Sequence, residues 1–172
     1  MKLNPKYNGR YVERGGGARL FVEENGDRTS PTILWIHGYC QCRLSWGNQF
    51  ENEEMVSKFH MIRLDLRGHG LSDRLADPAA FQDGKIWAKD IRAVMSALRL
   101  NKPILAGWSY GGFIICDYIR HYGQENVGGL VFVAAATEMD REESKTLVGA
   151  EFLQLLPVFF STDYTTGSAA LQ

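Results

Sequence analysis

Residues 103–113 are the segment that most constrains how this chain can fold, because an apolar run there passes through a Gly-x-Ser-x-Gly turn directly into a helix-forming stretch. The run is Pro-Ile-Leu-Ala, and the turn that follows is Gly-Trp-Ser-Tyr-Gly, centred on Ser109. A strand that is apolar along its whole length is typical of a parallel strand buried on both faces. Glycines two residues on either side of the serine let the strand and the helix approach closely. The segment therefore predicts a strand, a tight turn and a helix in an α/β sheet.

Three further runs have the same apolar character, and each ends near a glycine, an aspartate or small residues. They span 32–36, 61–64 and 130–134. Two other segments, 10–14 and 19–23, alternate between polar and apolar residues on either side of three glycines, as expected of a half-exposed antiparallel hairpin. The chain therefore predicts an α/β fold, with a mostly parallel sheet of about six strands flanked by helices.

The segments between these strands have the spacing of amphipathic helices. Apolar residues from Ile86 to Leu98 recur on one helical face, and a second helix runs from Phe113 to His121 with Gly123 as its C-cap. A weaker pattern predicts a helix over about 49–58. Strands that alternate with helices in this way are typical of a parallel sheet.

Charge and cysteine content exclude several classes of partner. Nineteen Lys and Arg residues nearly balance 20 Asp and Glu residues, so the net charge of −1 gives no general attraction to nucleic acid or to an anionic membrane. We find neither a secretory signal nor an apolar run of about 20 residues, and we expect a cytoplasmic protein with small-molecule partners. Three cysteines are too few for a disulfide framework or a structural zinc site, so no metal and no cofactor is predicted.

Ser109 is the candidate nucleophile. A turn this tight strains the backbone and projects the serine hydroxyl above the sheet, at a helix N-terminus that favours developing negative charge. Gly-x-Ser-x-Gly also arises by chance in ordinary turns. The strand before it and the helix after it favour the catalytic interpretation.

A second turn, His37-Gly38-Tyr39, follows the first parallel strand. If that strand neighbours the one before Ser109, the backbone N–H groups of Tyr39 and Tyr110 form an oxyanion hole. Gly38 and Trp108 then line the substrate pocket. The His37 imidazole is interpreted as a structural group that bonds within its own loop.

The loop at 65–73 holds Asp, Arg, His and Ser within nine residues. Side chains on a short loop punctuated by glycines cannot all converge, and catalytic serine, histidine and acid groups are recognised by geometry rather than by adjacency. We interpret the loop as structural, with a chemical role for His69 as the alternative.

Three motifs in order carry a resemblance to a known family: His37-Gly38, Asp65-x-Arg67-Gly68-His69-Gly70-x-Ser72 and Gly107-Trp108-Ser109-Tyr110-Gly111-Gly112. From about residue 12 to 136 the chain resembles the α/β-hydrolase superfamily. It is most similar to the branch of small esterases, lactonases and cofactor-free haloperoxidase-like enzymes. The resemblance implies strands in the order 1-2-4-3-5-6-7-8, an acid after strand seven, a histidine after strand eight and a helical lid after strand six.

We expect a truncated fold that lacks the last two strands of the family. Residues 1–137 are interpreted as the N-terminal part of the core, and 138–172 as the start of the helical lid. Some relatives place the acid after strand six, where Glu138 and Asp140 are candidates; the alternative is two solvated charges that open a helix. The expected base is missing, because none of the four histidines follows a late strand: His37, His60, His69 and His121.

These observations predict a serine hydrolase scaffold for small carboxylic esters or lactones, with weak or partner-dependent activity. The alternatives are a non-catalytic binding protein and a catalytically impaired fragment, because no histidine is placed to accept the proton of Ser109. A sixth strand left at the edge of the sheet would invite pairing. We therefore expect a homodimer or a complex through 127–136 or through the apolar tail.

Overall fold

The computed structural model describes residues 7–13, 18–135, 137, 149–150, 153–154 and 157. The chain divides into two compact units, 1–137 and 138–172. Nearly all of the second unit lies outside the described residues, so its interpretation as a lid stays a prediction. The described part of the chain contains no helix with both the length and the apolar character needed to cross a membrane.

Within the described residues, six strands form one sheet in the order β1-β2-β4-β3-β5-β6. β1 and β2 form an antiparallel hairpin, and β2 is antiparallel to β4. The remaining neighbours are parallel, which confirms the predicted mostly parallel sheet and its strand order. The strands are β1 (Asn8–Glu13), β2 (Arg19–Asn25), β3 (Thr32–Ile36), β4 (His60–Leu64), β5 (Ile104–Trp108) and β6 (Gly129–Val133).

In the described residues up to 135, four helices flank the sheet, together with 3-10 turns at Arg43–Trp46 and Pro78–Phe81. The weak helix predicted over 49–58 is in fact two short helices, because the Asn52 side chain accepts a hydrogen bond from the Met55 N–H and so begins a new helix. The next helix starts at an N-cap supplied by Asp83. The helices are α1 (Gly47–Phe50), α2 (Glu53–Lys58), α3 (Gly84–Ala97) and α4 (Tyr110–Tyr122).

The strands alternate their side chains between two apolar clusters on opposite faces of the sheet. In β3, for example, Leu34 and Ile36 belong to the cluster that includes α3 and α4, whereas Ile33 and Trp35 belong to the cluster that includes Trp46 and Phe50. Both faces of the central strands are therefore covered, as expected of parallel strands.

β6 differs from the other parallel strands because its side chains are exposed. Leu130, Val131, Phe132 and Val133 each retain about 40% of their accessible surface, between 39% and 43%. The prediction of a parallel strand at 130–134 is confirmed, but the prediction that this strand is buried is wrong. Within the described residues, β6 pairs with β5 and forms an edge of the sheet.

Candidate functional site

Ser109 lies in a strained turn between the end of β5 and the start of α4. Its φ of 52° and ψ of −115° are an uncommon combination for a residue with a side chain. Two backbone hydrogen bonds fix this conformation: the Ser109 N–H donates to the Val133 carbonyl at 3.1 Å, and the Gly112 N–H donates to the Ser109 carbonyl at 3.0 Å. The side chain is half-buried. The turn thus has the geometry expected of a nucleophile elbow.

The glycines on either side of Ser109 are required by close backbone contacts. A Cβ at Gly107 would lie 2.6 Å from the Gly111 carbonyl oxygen, and a Cβ at Gly111 would lie 2.5 Å from the Ile36 carbonyl oxygen. Neither space accepts a side chain without movement of the backbone. The Gly-x-Ser-x-Gly spacing is therefore a packing requirement of this turn.

The turn after β3 lies beside Ser109, because β3 and β5 are neighbours in the sheet. A Cβ placed on Gly38 would be 3.3 Å from the Ser109 Cβ and 3.6 Å from the Trp108 ring. Tyr110 is the first residue of α4, and the N–H of a first helical residue has no acceptor within its helix. The structure thus brings the predicted oxyanion turn and Ser109 together, and the roles of the Tyr39 and Tyr110 amides stay predictions.

His37 holds this turn in place. Its Nδ1–H donates to the Gly38 carbonyl at 2.7 Å, and its Nε2 accepts from the Leu66 N–H at 3.0 Å. Both bonds require a neutral imidazole with the proton on Nδ1. Burial lowers the pKa of His37 to about 4, despite the bond to Gly38. The ring therefore joins the β3 turn to the loop after β4 and has no free lone pair for a substrate proton.

The other three histidines have partners or positions away from the Ser109 hydroxyl. His60 begins β4 and bonds to Glu24 and Thr32, and His121 is exposed in the last turn of α4. The Nδ1–H of His69 donates to the Arg67 carbonyl at 2.8 Å. No imidazole within the described ranges is hydrogen-bonded to the Ser109 hydroxyl.

The loop at 65–73 is held by a buried ionic network. The Asp65 carboxylate accepts from the Arg43 N–H at 2.8 Å, from the Arg43 guanidinium at 2.7 Å and from the Leu71 N–H at 2.8 Å. Ser72 donates its hydroxyl to the Asp65 carbonyl at 2.6 Å. These side chains are committed to the shape of the loop, as the sequence interpretation proposed for the motif.

A cavity of about 440 Å³ opens beside the turn that carries Ser109. Tyr39 and Tyr110, which follow the two site turns, contribute to its wall, and their rings meet edge to face at 6.0 Å. Burial raises the pKa of both phenols, which favours neutral hydroxyl groups at this wall. Among the residues that the structure describes, the cavity is lined by Tyr39, Cys40, Gly68, His69, Arg74, Leu75, Phe81, Trp87 and Tyr110.

Sequence reasoning missed most of this wall. Phe81 lies in a 3-10 turn, and Trp87 has the helical spacing of an ordinary core residue, so neither carried a signal of binding. Gly38 and Trp108 were the predicted pocket residues, and they lie against Ser109 rather than among the lining residues that the structure describes. The candidate acids Glu138 and Asp140 lie outside the described residues.

Comparison with known proteins places this geometry among hydrolases. The family model for the alpha/beta hydrolase fold matches residues 31–161. An AB hydrolase superfamily protein of Bacillus subtilis, YisY, is 34% identical over 128 residues, which is 74% of this chain and 46% of that protein. The mouse protein epoxide hydrolase 4 is 32% identical over 101 residues, covering 59% of this chain and 27% of its own length.

A solved structure of an esterase from Rhodococcus sp. ECU1013 has the same fold. It superposes with a TM-score of 0.86 at 32% identity, over 95% of this chain and 58% of the esterase. The chain therefore spans between about a quarter and three fifths of the length of these relatives, 27% to 58%.

Proposed function

The chain belongs to the alpha/beta hydrolase family, and from that premise we propose that it is a serine hydrolase acting on small carboxylic esters or lactones. The observation that carries the proposal is the strained backbone of Ser109, fixed between β5 and α4 by hydrogen bonds on both sides. A conformation this costly persists only where the surrounding structure enforces it, and such positions cluster at active sites. We further propose that the protein works in the cytoplasm without a cofactor.

The proposed reaction has two steps. The Ser109 hydroxyl oxygen attacks the carbonyl carbon while its proton leaves to a base, and the resulting oxyanion is held by the Tyr39 and Tyr110 amides. Collapse of the tetrahedral intermediate expels the alcohol, which takes up a proton, and leaves an acyl-enzyme on Ser109. Water then adds to the acyl carbon and releases the carboxylic acid, which restores the serine.

Acyl chemistry fits a serine better than epoxide opening does, although epoxide hydrolases are among the relatives. Attack of a serine oxygen on an epoxide would form an alkyl ether, which water cannot cleave under mild conditions. An acyl ester of the same serine is readily hydrolysed. The residue at the elbow therefore favours esters and lactones as the substrates.

The expected rate of ester hydrolysis depends on which group accepts the proton of Ser109. Within the described residues no imidazole reaches the Ser109 hydroxyl, so we expect this chain alone to turn over esters weakly. An oxyanion hole and a binding site retain part of the catalysis when the other catalytic groups are removed. Glu138 and Asp140 stay candidates for an acid, and another chain could supply the histidine.

The same observation favours a second candidate function, a binding protein that keeps the cavity without turnover. The cavity beside Ser109 has the size of a small-molecule site. In this case a ligand would bind beside Ser109 without reacting with it.

Labelling with a fluorophosphonate separates the two. We expect an adduct on Ser109, located by peptide mass spectrometry, that is lost in Ser109→Ala and kept in Ser96→Ala, a control on the exposed face of α3. Labelling of a folded protein at other serines only, or at a rate equal to that of the denatured chain, would rule out an activated Ser109 and leave the binding function.

A further inference from the structure

The cavity lined by Tyr39 and Tyr110 combines an aromatic wall with one arginine. Successive ring pairs make edge or tilted contacts around it: Phe81 with Trp87 at 6.1 Å, Trp87 with Tyr110 at 5.6 Å, and Tyr110 with Tyr39 at 6.0 Å. The ring of His69 continues the series at 6.3 Å from Tyr39. A wall of this kind favours a flat apolar group, because ring faces and edges contact it without polar groups that must be desolvated.

Arg74 is the arginine of this cavity. Arg74 is exposed, and the described lining contains no Asp or Glu. Arg74 makes no ion pair with any residue in the described ranges. The cavity therefore has one arginine in its wall and, among the described lining residues, no carboxylate.

Three acidic residues before and after Arg74 in the chain already have other hydrogen-bond partners. Asp73 accepts from the Arg19 guanidinium at 3.0 Å and from the Arg19 backbone N–H at 2.9 Å. Asp77 caps the following 3-10 turn through the Ala79 N–H at 2.9 Å. Asp65 is buried in its own network with Arg43. None of these three carboxylates forms an ion pair with Arg74, so within the part of the chain that the structure describes the Arg74 charge has no counter-ion.

We propose that Arg74 selects substrates bearing a carboxylate, with the apolar body of the substrate against the aromatic wall and its ester carbonyl toward Ser109. A guanidinium binds a carboxylate through two parallel hydrogen bonds, which fixes orientation as well as charge. The substrate class is then a monoester of a dicarboxylic acid, or an aryl-substituted ester that also carries a free acid. This assignment rests on the proposed function for the reaction, but its binding component can be measured without turnover.

Binding is tested in the Ser109→Ala background with phenylacetate and its neutral isostere phenylacetamide, followed by calorimetry. We expect phenylacetate to bind more tightly than the amide. Arg74→Ala should weaken phenylacetate roughly 10-fold and leave the amide unchanged, since a hydrogen bond to a charged group is worth more than one to a neutral group. Arg74→Lys should recover part of the loss, and added salt should reduce the difference between acid and amide.

The matched control is Lys89→Ala, which removes an equal charge from an exposed position of α3 outside the cavity wall. It should leave both ligands unaffected. Equal binding of acid and amide by the parent, or equal loss in Lys89→Ala and Arg74→Ala, would overturn the assignment.

Activity separates this inference from the proposed function. With an active protein, kcat/KM for 4-nitrophenyl hydrogen glutarate relative to 4-nitrophenyl butyrate should fall roughly 10-fold in Arg74→Ala. Absence of Ser109 labelling together with Arg74-dependent binding of phenylacetate would defeat the hydrolase and keep the carboxylate site. Labelling of Ser109 without Arg74-dependent binding of phenylacetate would support the hydrolase and overturn the carboxylate site.

Discussion

The two halves of the sheet differ in how they are held. Every residue of β3 and β4 is buried, and charged side chains from this half form ion pairs inside the protein. In β6, four of the five residues are exposed. Ser109 stands where the halves meet, since its turn follows β5 and its N–H donates to β6. The conformation of Ser109 therefore depends on a well-packed half of the sheet and on a half that is much less covered.

The buried half relies on charges that each contact an opposite charge. Arg43 bonds Asp65 at 2.7 Å and Glu23 at 3.1 Å, and Glu23 also accepts from Arg63 at 2.7 Å. All four side chains are at least 98% buried. Breaking such a network leaves an uncompensated charge away from water, which costs far more than the loss of an exposed ion pair.

The largest effect is therefore expected from Asp65→Asn, which leaves Arg43 short of a counter-charge. We expect a loss of about 3–5 kcal/mol in the free energy of unfolding, measured by urea denaturation. Asp73→Asn is the matched control at the other end of the same loop, because Asp73 pairs with Arg19 in an exposed position. Its effect should be much smaller, and equal losses would contradict the contrast between buried and exposed pairs.

The next effect concerns pH. The pKa of His37 is about 4 in the folded protein, below the ordinary imidazole value of 6.5, so the unfolded chain binds the proton more readily. The stabilisation from neutral His37 is fully present above pH 6.5 and is lost as the pH falls toward 4. The difference corresponds to about 3 kcal/mol at most.

Unfolding of His37→Gln followed over the same pH range should show a flatter dependence than that of the parent. His121→Gln, which changes an exposed histidine, should keep the parent's slope. A parent slope retained by His37→Gln would show that other groups produce the pH dependence.

A third effect concerns the elbow itself. Gly111→Ala would place a methyl group 2.5 Å from the Ile36 carbonyl oxygen, and we expect a loss of about 1–3 kcal/mol together with much slower labelling of Ser109. Gly47→Ala is the control, because a Cβ there has nothing within 4 Å and the backbone is already helical. That variant should be as stable as the parent or slightly more stable.

The smallest effect on stability is expected in β6. Phe132→Ser removes an exposed apolar side chain and should change the free energy of unfolding by less than about 0.5 kcal/mol.

The pairing of β6 with a second copy of the chain stays a prediction, and the same variant tests it by sedimentation velocity. Phe132→Ser should shift the protein toward monomer, whereas Leu44→Ser, a change at a similarly exposed residue, should not. A parent that is monomeric at high concentration would contradict the pairing.

The sheet was predictable because its signals are local. Continuous apolar runs identified β3, β4, β5 and β6, and the three glycines at 15–17 identified the hairpin of β1 and β2. The turn at Ser109 was predictable for a related reason. Its close backbone contacts require glycine at 107 and 111, and both glycines belong to the Gly-x-Ser-x-Gly motif in the sequence.

The cavity wall was not predictable in the same way. Phe81, Trp87 and Tyr110 come from different elements, and the contacts of Trp87 with Phe81 and with Tyr110 form only in the folded chain. Arg74 gave no signal, because its significance depends on the commitment of Asp73 to Arg19, a contact across 54 residues of sequence. The exposure of β6 was likewise not predictable from its sequence, because a continuous apolar run is typical of a buried strand.

The hydrogen bond from the Ser109 N–H to the Val133 carbonyl couples the backbone conformation of Ser109 to the docking of β6 on the sheet. An edge strand with exposed side chains is among the first elements to separate from a sheet. Each time β6 detaches, the serine loses one of the two bonds that impose its unusual dihedral angles and is free to relax. Exchange of the Ser109 amide hydrogen with solvent therefore reports the opening of β6, and the time for which the strand stays docked limits the lifetime of the strained Ser109 conformation.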